Sequence, residues 1–99
     1  MIVMFSARRL KPGAWEQFRN AWDSPEGHPP GLQRAYHARN IRDEDELISF
    51  GLFDMSIDDY RRWREEADAQ ENQRVDRMST FVAQEHVAGV YEVVDSVEG

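Results

Sequence analysis

The stretch "DELISFGLFDMSIDDYRRW", Asp45 to Trp63, decides the fold of this 99-residue chain. Its first half, Glu46 to Asp54, is predicted to be a strand. Ile48, Phe50 and Leu52 are large and apolar on one face, while Leu47, Gly51 and Phe53 keep the other face apolar. Its second half starts a helix: Ser56 can cap, Asp59 follows three residues on, and Met55 can pack against Tyr60. The buried stripe of that helix is Tyr60, Trp63 and Ala67. An antiparallel sheet with one wet face alternates apolar and polar residues. A strand that is apolar on both faces therefore needs cover on both sides.

Working outward, Gly31 to Asn40, "GLQRAYHARN", reads as the preceding strand, and the polar segment "NIRDED" turns the pair into a hairpin. Residues 1–10 form a first strand, with Val3, Phe5 and Ala7 on one face and Ile2, Met4 and Ser6 on the other. In "KPGAWEQFRNAWD", Pro12 stands near a first helical position, and Trp15, Phe18 and Trp22 make one helical stripe. Ser24 to Gly31 is a loop by its Pro and Gly content. Downstream, "EEADAQENQR" offers only Ala67 and Ala69 as apolar residues, so the second helix breaks there. Val75, Met78, Phe81 and Val82 resume a helical stripe, and His86 to Asp95 is the fourth strand. The order β-α-β-β-α-β predicts a ferredoxin-like α+β fold, an antiparallel sheet with helices on one face. Residues 1–99 make a single domain with 96–99 as a tail. Helices cover one side of the sheet only, so a second copy is expected on the other, giving a homodimer.

Composition narrows the function. Twelve basic residues stand against 19 acidic ones, a net charge of −7, and the basic residues are dispersed. That argues against a nucleic-acid partner, which needs a basic footprint. There is no cysteine, which excludes disulfides, thiolate nucleophiles and zinc–cysteine sites. No apolar run is long enough for a membrane span and no signal peptide is recognised, so a cytoplasmic protein without membrane contact is expected. A small apolar or aromatic ligand suits this surface best.

With "PPGLQRAYHAR", the strand-to-helix segment ending at Trp63 and a final "VYEVV", nearly the whole chain resembles the antibiotic biosynthesis monooxygenase family, within the dimeric α+β barrel superfamily. The resemblance implies a homodimer with a pocket between the sheet and helices of each subunit. It also implies cofactor-independent oxygenation of aromatic, polyketide-type compounds or, in other members, haem degradation. The tyrosine–histidine pair of the polyketide oxygenases is matched by Tyr36 and His37. Their third-strand asparagine and tryptophan are replaced by Ser49 and Phe53. Of the haem degraders' site, the tryptophan is matched by Trp63, whereas Ser6 and Gln73 stand near the asparagine and histidine positions. Without that histidine no iron ligand is evident, so no haem and no other cofactor is expected.

The resemblance thus implies a site in which His37 is the general base, taking a proton from a phenol so that the anion can pass an electron to dioxygen. Tyr36 and Ser49 would hold the substrate oxygens, with Trp63, Phe53 and Trp22 as apolar walls. Regular alternation groups His37 with Gln33, Ala35 and Arg39, and puts Tyr36 on the opposite face with Leu32 and Arg34. The small residues Ala35, Ser49 and Gly51 suggest room above the sheet, though they could equally let helix aromatics pack close. No metal site is expected, because the three histidines lack spaced partners. The alternatives are a haem-binding member or a non-catalytic dimeric ligand-binding or stress-associated module, with a structural His37.

Overall fold

A computed structural model of the chain describes residues 1–25 and 27–99. The elements are β1 (Ile2–Leu10), α1 (Trp15–Trp22), β2 (Leu32–Asn40), β3 (Asp43–Phe53), α2 (Ile57–Glu66), α3 (Asp68–Ser79) and β4 (Val82–Glu92). The four strands form one antiparallel sheet in the order β2-β3-β1-β4. This is the ferredoxin-like arrangement expected from the sequence. The molecule is a slab of 38 × 37 × 19 Å, its thin dimension being one sheet plus one helix layer.

Several boundaries differ from the expected ones. Helix α1 starts at Trp15, not near Pro12, because Pro12 and Gly13 form a turn in which Gly13 takes a φ of 70°. Strand β3 begins at Asp43 rather than Glu46. There Arg9 of β1 donates to both Asp43 and Glu46 at 2.8 Å, drawing the acidic tract into the sheet. Strand β4 spans Val82–Glu92 instead of His86–Asp95, and Phe81 and Val82 leave the helical stripe. Val82 pairs with Leu10, and the register to β1 slips past His86 and past Ala83. These two bulges let a polar edge segment pair without alternating. In β2 the register skips Gln33, which turns Leu32 onto the helix side, opposite to its expected face.

The capping of α2 is as expected: the Ser56 side chain accepts from the Asp59 N–H at 3.0 Å. So is the break, where Ala67 N–H closes α2 onto Trp63 and the Ala67 carbonyl opens α3 toward Glu71. Ala67 is buried at this joint.

The core on the helix side is not continuous. One cluster joins Leu10, Phe18, Leu47 and Met78 under Trp15, Trp22 and Phe81. The other joins Ile2, Phe53 and Met55 with Met4, Leu32 and Tyr60. Interiors normally pack without voids, and a chain this small has little burial to spare. The gap between the clusters therefore calls for a reason.

The other face of the sheet carries no helix. On it the rings of Tyr36 and Phe50 stack at 5.0 Å, Tyr91 meets Phe5 edge-on, and Tyr36, Ile48, Val87 and Tyr91 are exposed.

Candidate functional site

Between the two core clusters lies a cavity of about 330 Å³. Met4, Phe53 and Tyr60 wall it on one side, Trp22 and Met78 on the other, and Val90 of the edge strand borders it. Its floor is polar. His37, Ser49, Ser6 and Ala88 are register partners across β2, β3, β1 and β4, and of this row Ser49, Ser6 and Ala88 line the cavity. Ser49 and Ser6 are both buried. Arg8, two residues along β1, donates from Nη1 to Ser6 Oγ. Gly51 lets the Phe53 ring lie close over the strand, since a Cβ there would stand 2.8 Å from that ring.

His37 faces the helix side, the side the family resemblance implies, but it stands behind the cavity rather than at its wall. Its Nδ1 lies 2.7 Å from Ser49 Oγ, and its ring is enclosed by Trp15, Phe18 and Trp22 at 5.5, 6.3 and 4.8 Å between centroids. Nε2 is buried with no hydrogen-bond partner among the described residues. Burial, reinforced by the charges of Arg19 and Arg8 and opposed by Asp23, lowers its pKa to about 4, so the ring is neutral. The histidine that does line the cavity is His28, which the sequence reading left in a loop. Its ring lies 5.3 Å from Trp22.

Of the other expected site residues, Ser49, Phe53 and Trp22 are brought together around the cavity. Tyr36 is not, because it projects from the opposite face of the sheet. Trp63 also lies elsewhere: it borders a separate surface hollow with Met55, Asp59 and Pro30. Gln73 is exposed on α3. Arg8, Arg74 and Glu71 are cavity residues that the sequence reading missed. The signal for Arg8 was present, since continuing the Ile2, Met4, Ser6 face by one step reaches a charge on the side meant for the core. Arg74 is tied down by Glu71 at 3.2 Å and by the Trp22 carbonyl at 2.9 Å. Among the described residues no three His, Asp or Glu side chains converge as a metal site would require, and no helix is long and apolar enough to cross a membrane.

Solved structures share this architecture over almost the whole chain. A candidate antibiotic biosynthesis monooxygenase from Deinococcus radiodurans superposes with a TM-score of 0.71 at 9% identity, covering 99% of this chain and 97% of its own. One from Chloroflexus aurantiacus gives 0.70 at 12%, with 98% and 96% covered. A variant of SnoaB, a cofactor-independent oxygenase from Streptomyces nogalater, gives 0.66 at 16%, with 99% and 98% covered. The chain has the fold of the antibiotic biosynthesis monooxygenases. No protein-family model and no curated protein matches the sequence. The likeness is one of fold, and function has to be argued from the cavity itself.

Proposed function

We propose that the chain is a small-molecule enzyme that oxygenates an aromatic compound in the cavity between its two core clusters, without a cofactor. The observation that carries this reading is the interrupted core, whose gap is lined mainly by apolar and aromatic side chains with a few polar and charged groups among them, the usual form of a small-molecule site. Trp22, Phe53 and Met78 would enclose the ring of the substrate, and the hydroxyls of Ser49 and Ser6 would bind its oxygens.

The proton acceptor in this reading is His28, whose imidazole borders the cavity. His37 is a poor base: burial lowers its pKa to about 4, and its ring is turned into Trp15, Phe18 and Trp22 behind the cavity. Its role is to fix the Ser49 hydroxyl through Nδ1. The substrate anion passes one electron to dioxygen, and the radical pair combines to a peroxide. At a ring methylene, loss of water leaves a carbonyl, so substrate and O2 give ketone and H2O.

The assembly we propose is a homodimer through the open face of the sheet. Its support is the exposed apolar set Tyr36, Ile48, Val87 and Tyr91 beside Phe50 on a face without helices. A second copy would give these residues the cover that an antiparallel sheet with two apolar faces requires.

The test of the activity is oxygen uptake with naphthalene diols and anthrone-type ketones in the presence of a chelator and without flavin. Protein-dependent uptake above the autoxidation blank is expected, with a carbonyl product. Uptake equal to the blank for every such substrate would contradict the reading.

A further inference from the structure

We infer that the ligand of this cavity is an aromatic carboxylic acid and that Arg8 is the group that grips its carboxylate. The inference rests on reading the cavity as the ligand site and adds the chemical class of what fills it. Arg8 projects from β1 toward the helix layer, its guanidinium 5.7 Å from the Phe18 ring centroid and its side chain only 14% exposed. A charge so enclosed is costly unless it is paired and hydrogen-bonded.

The pairing it has is weak. A guanidinium carries five N–H donors. Among the described residues one of them is committed, and to a neutral hydroxyl, that of Ser6. The nearest carboxylate, Glu85 on the edge strand, is 3.6 Å away and half exposed, outside hydrogen-bond reach. Arg74, in the opposite wall, shows the contrast. Two of its nitrogens donate to the two oxygens of Glu71, each at 3.2 Å, and a third contact reaches the Trp22 carbonyl. The one carboxylate of the cavity wall is therefore spent on Arg74, and among the described residues Arg8 keeps only its long ion pair with the half-exposed Glu85 and its bond to Ser6.

Two arginines meet at this cavity in a chain with a net charge of −7, and of their two carboxylate partners only Glu71 lines it. Burial lowers the pKa of Arg8, the Glu85 carboxylate raises it and the like charge of Arg74 lowers it, and the net fall shows that the pairing present does not fully offset the cost of burial. A carboxylate would remove that cost, because its two oxygens match the planar fork of a guanidinium. The Ser6 and Ser49 hydroxyls beside it would orient the rest of the molecule. The walls argue for an aromatic acid, since Trp22, Phe53 and Tyr60 offer ring faces and edges.

The experiment is a calorimetric titration of the full chain with 2-naphthoate, its methyl ester and 2-naphthol, repeated on Arg8→Gln. Wild type is expected to bind the acid about 10–100-fold more tightly than the ester, and Arg8→Gln to lose that preference while binding the ester nearly as before. The wild-type comparison decides the matter even if the variant fails to fold. Equal affinity for acid and ester, or a preference that survives in Arg8→Gln, would overturn the carboxylate while leaving the cavity as a ligand site. Saturable binding by none of the three would overturn both. Because no turnover is measured in this titration, a failure of the oxygenase reading shows separately, as acid-selective binding in a chain whose oxygen uptake with the diols and anthrone-type ketones equals the blank.

Discussion

Ser49 Oγ and His37 Nδ1 stand 2.7 Å apart across the β2–β3 pairing, with the hydroxyl on the cavity side and the imidazole sealed among aromatic rings. The contact divides the roles within the site, since Ser49 can touch a ligand and His37 can act only through it. It also makes His37 a reporter of folding. Its pKa is about 4 in the folded chain against an ordinary 6.5, so between those values the unfolded chain binds a proton that the folded one does not.

Stability should therefore be fullest, as far as His37 contributes, above about pH 6.5, and should fall as the pH drops toward 4. Asp43 and Glu46, held down by hydrogen bonds from Arg9, add their own losses only below their ordinary values of 3.8 and 4.5. Thermal melts from pH 7.5 to 4.5 should show a declining Tm in wild type and a flatter profile in His37→Phe. Parallel profiles would show that the ring titrates in the fold as it does in the unfolded chain.

Gly31 is the residue the fold tolerates changing least. It has a φ of +83°, and a Cβ there would stand 2.5 Å from the Asp54 carbonyl oxygen. Its own carbonyl accepts from Asp54 N–H at 2.8 Å, which anchors the start of β2 to the end of β3. Gly31→Ala should cost at least about 1–2 kcal/mol from the left-handed backbone alone, a Tm drop of several degrees or more. Gly13→Ala, also at positive φ but with open space around it, should cost less. Melting curves of the two variants check the order.

Much of this was legible in the sequence. The two-sided apolar pattern of β3, the Ser56 cap and the break near Ala67 follow from local periodicity and turn chemistry, while the helix-side direction of His37 comes from the family resemblance. What was not legible depends on distant partners. The start of β4 is polar and becomes a strand only because β1 offers it hydrogen bonds through two bulges. Asp43 joins β3 because Arg9 reaches it from 34 residues away. His28 reaches the cavity because its loop folds onto Trp22, and no pattern within a Pro-rich loop encodes that. Trp63, matched by resemblance, follows the axis of α2 to another hollow.

The proposed dimer places Phe50 under the partner's sheet. Phe50→Asp would bury an unpaired charge there, costing several kcal/mol per ion, and should yield a monomer. Sedimentation at micromolar concentration should give a dimer for wild type and a monomer for the variant. A well-folded monomeric wild type would leave the open face unexplained.

His28→Ala removes a cavity-lining base that belongs to neither core cluster and packs on Trp22 at the margin of one. Turnover should fall by about 10²–10⁴-fold with the Tm nearly unchanged. His37→Ala should behave in the opposite way. By emptying a site among three aromatic rings it should cost about 2–4 kcal/mol of stability, the range for large-to-small core changes. Equal turnover in wild type and His28→Ala would move the base elsewhere.

The account stands or falls on the gap between the two core clusters being the place where ligand binds. A crystal structure of the chain grown anaerobically with a naphthalene diol tests that most directly. The expected result is an aromatic ring between Trp22 and Phe53 with one oxygen within hydrogen-bonding distance of Ser49 Oγ. A ligand seated in the hollow beside Trp63, or on the open face beside Tyr36, with the gap closed by repacked side chains, would contradict it.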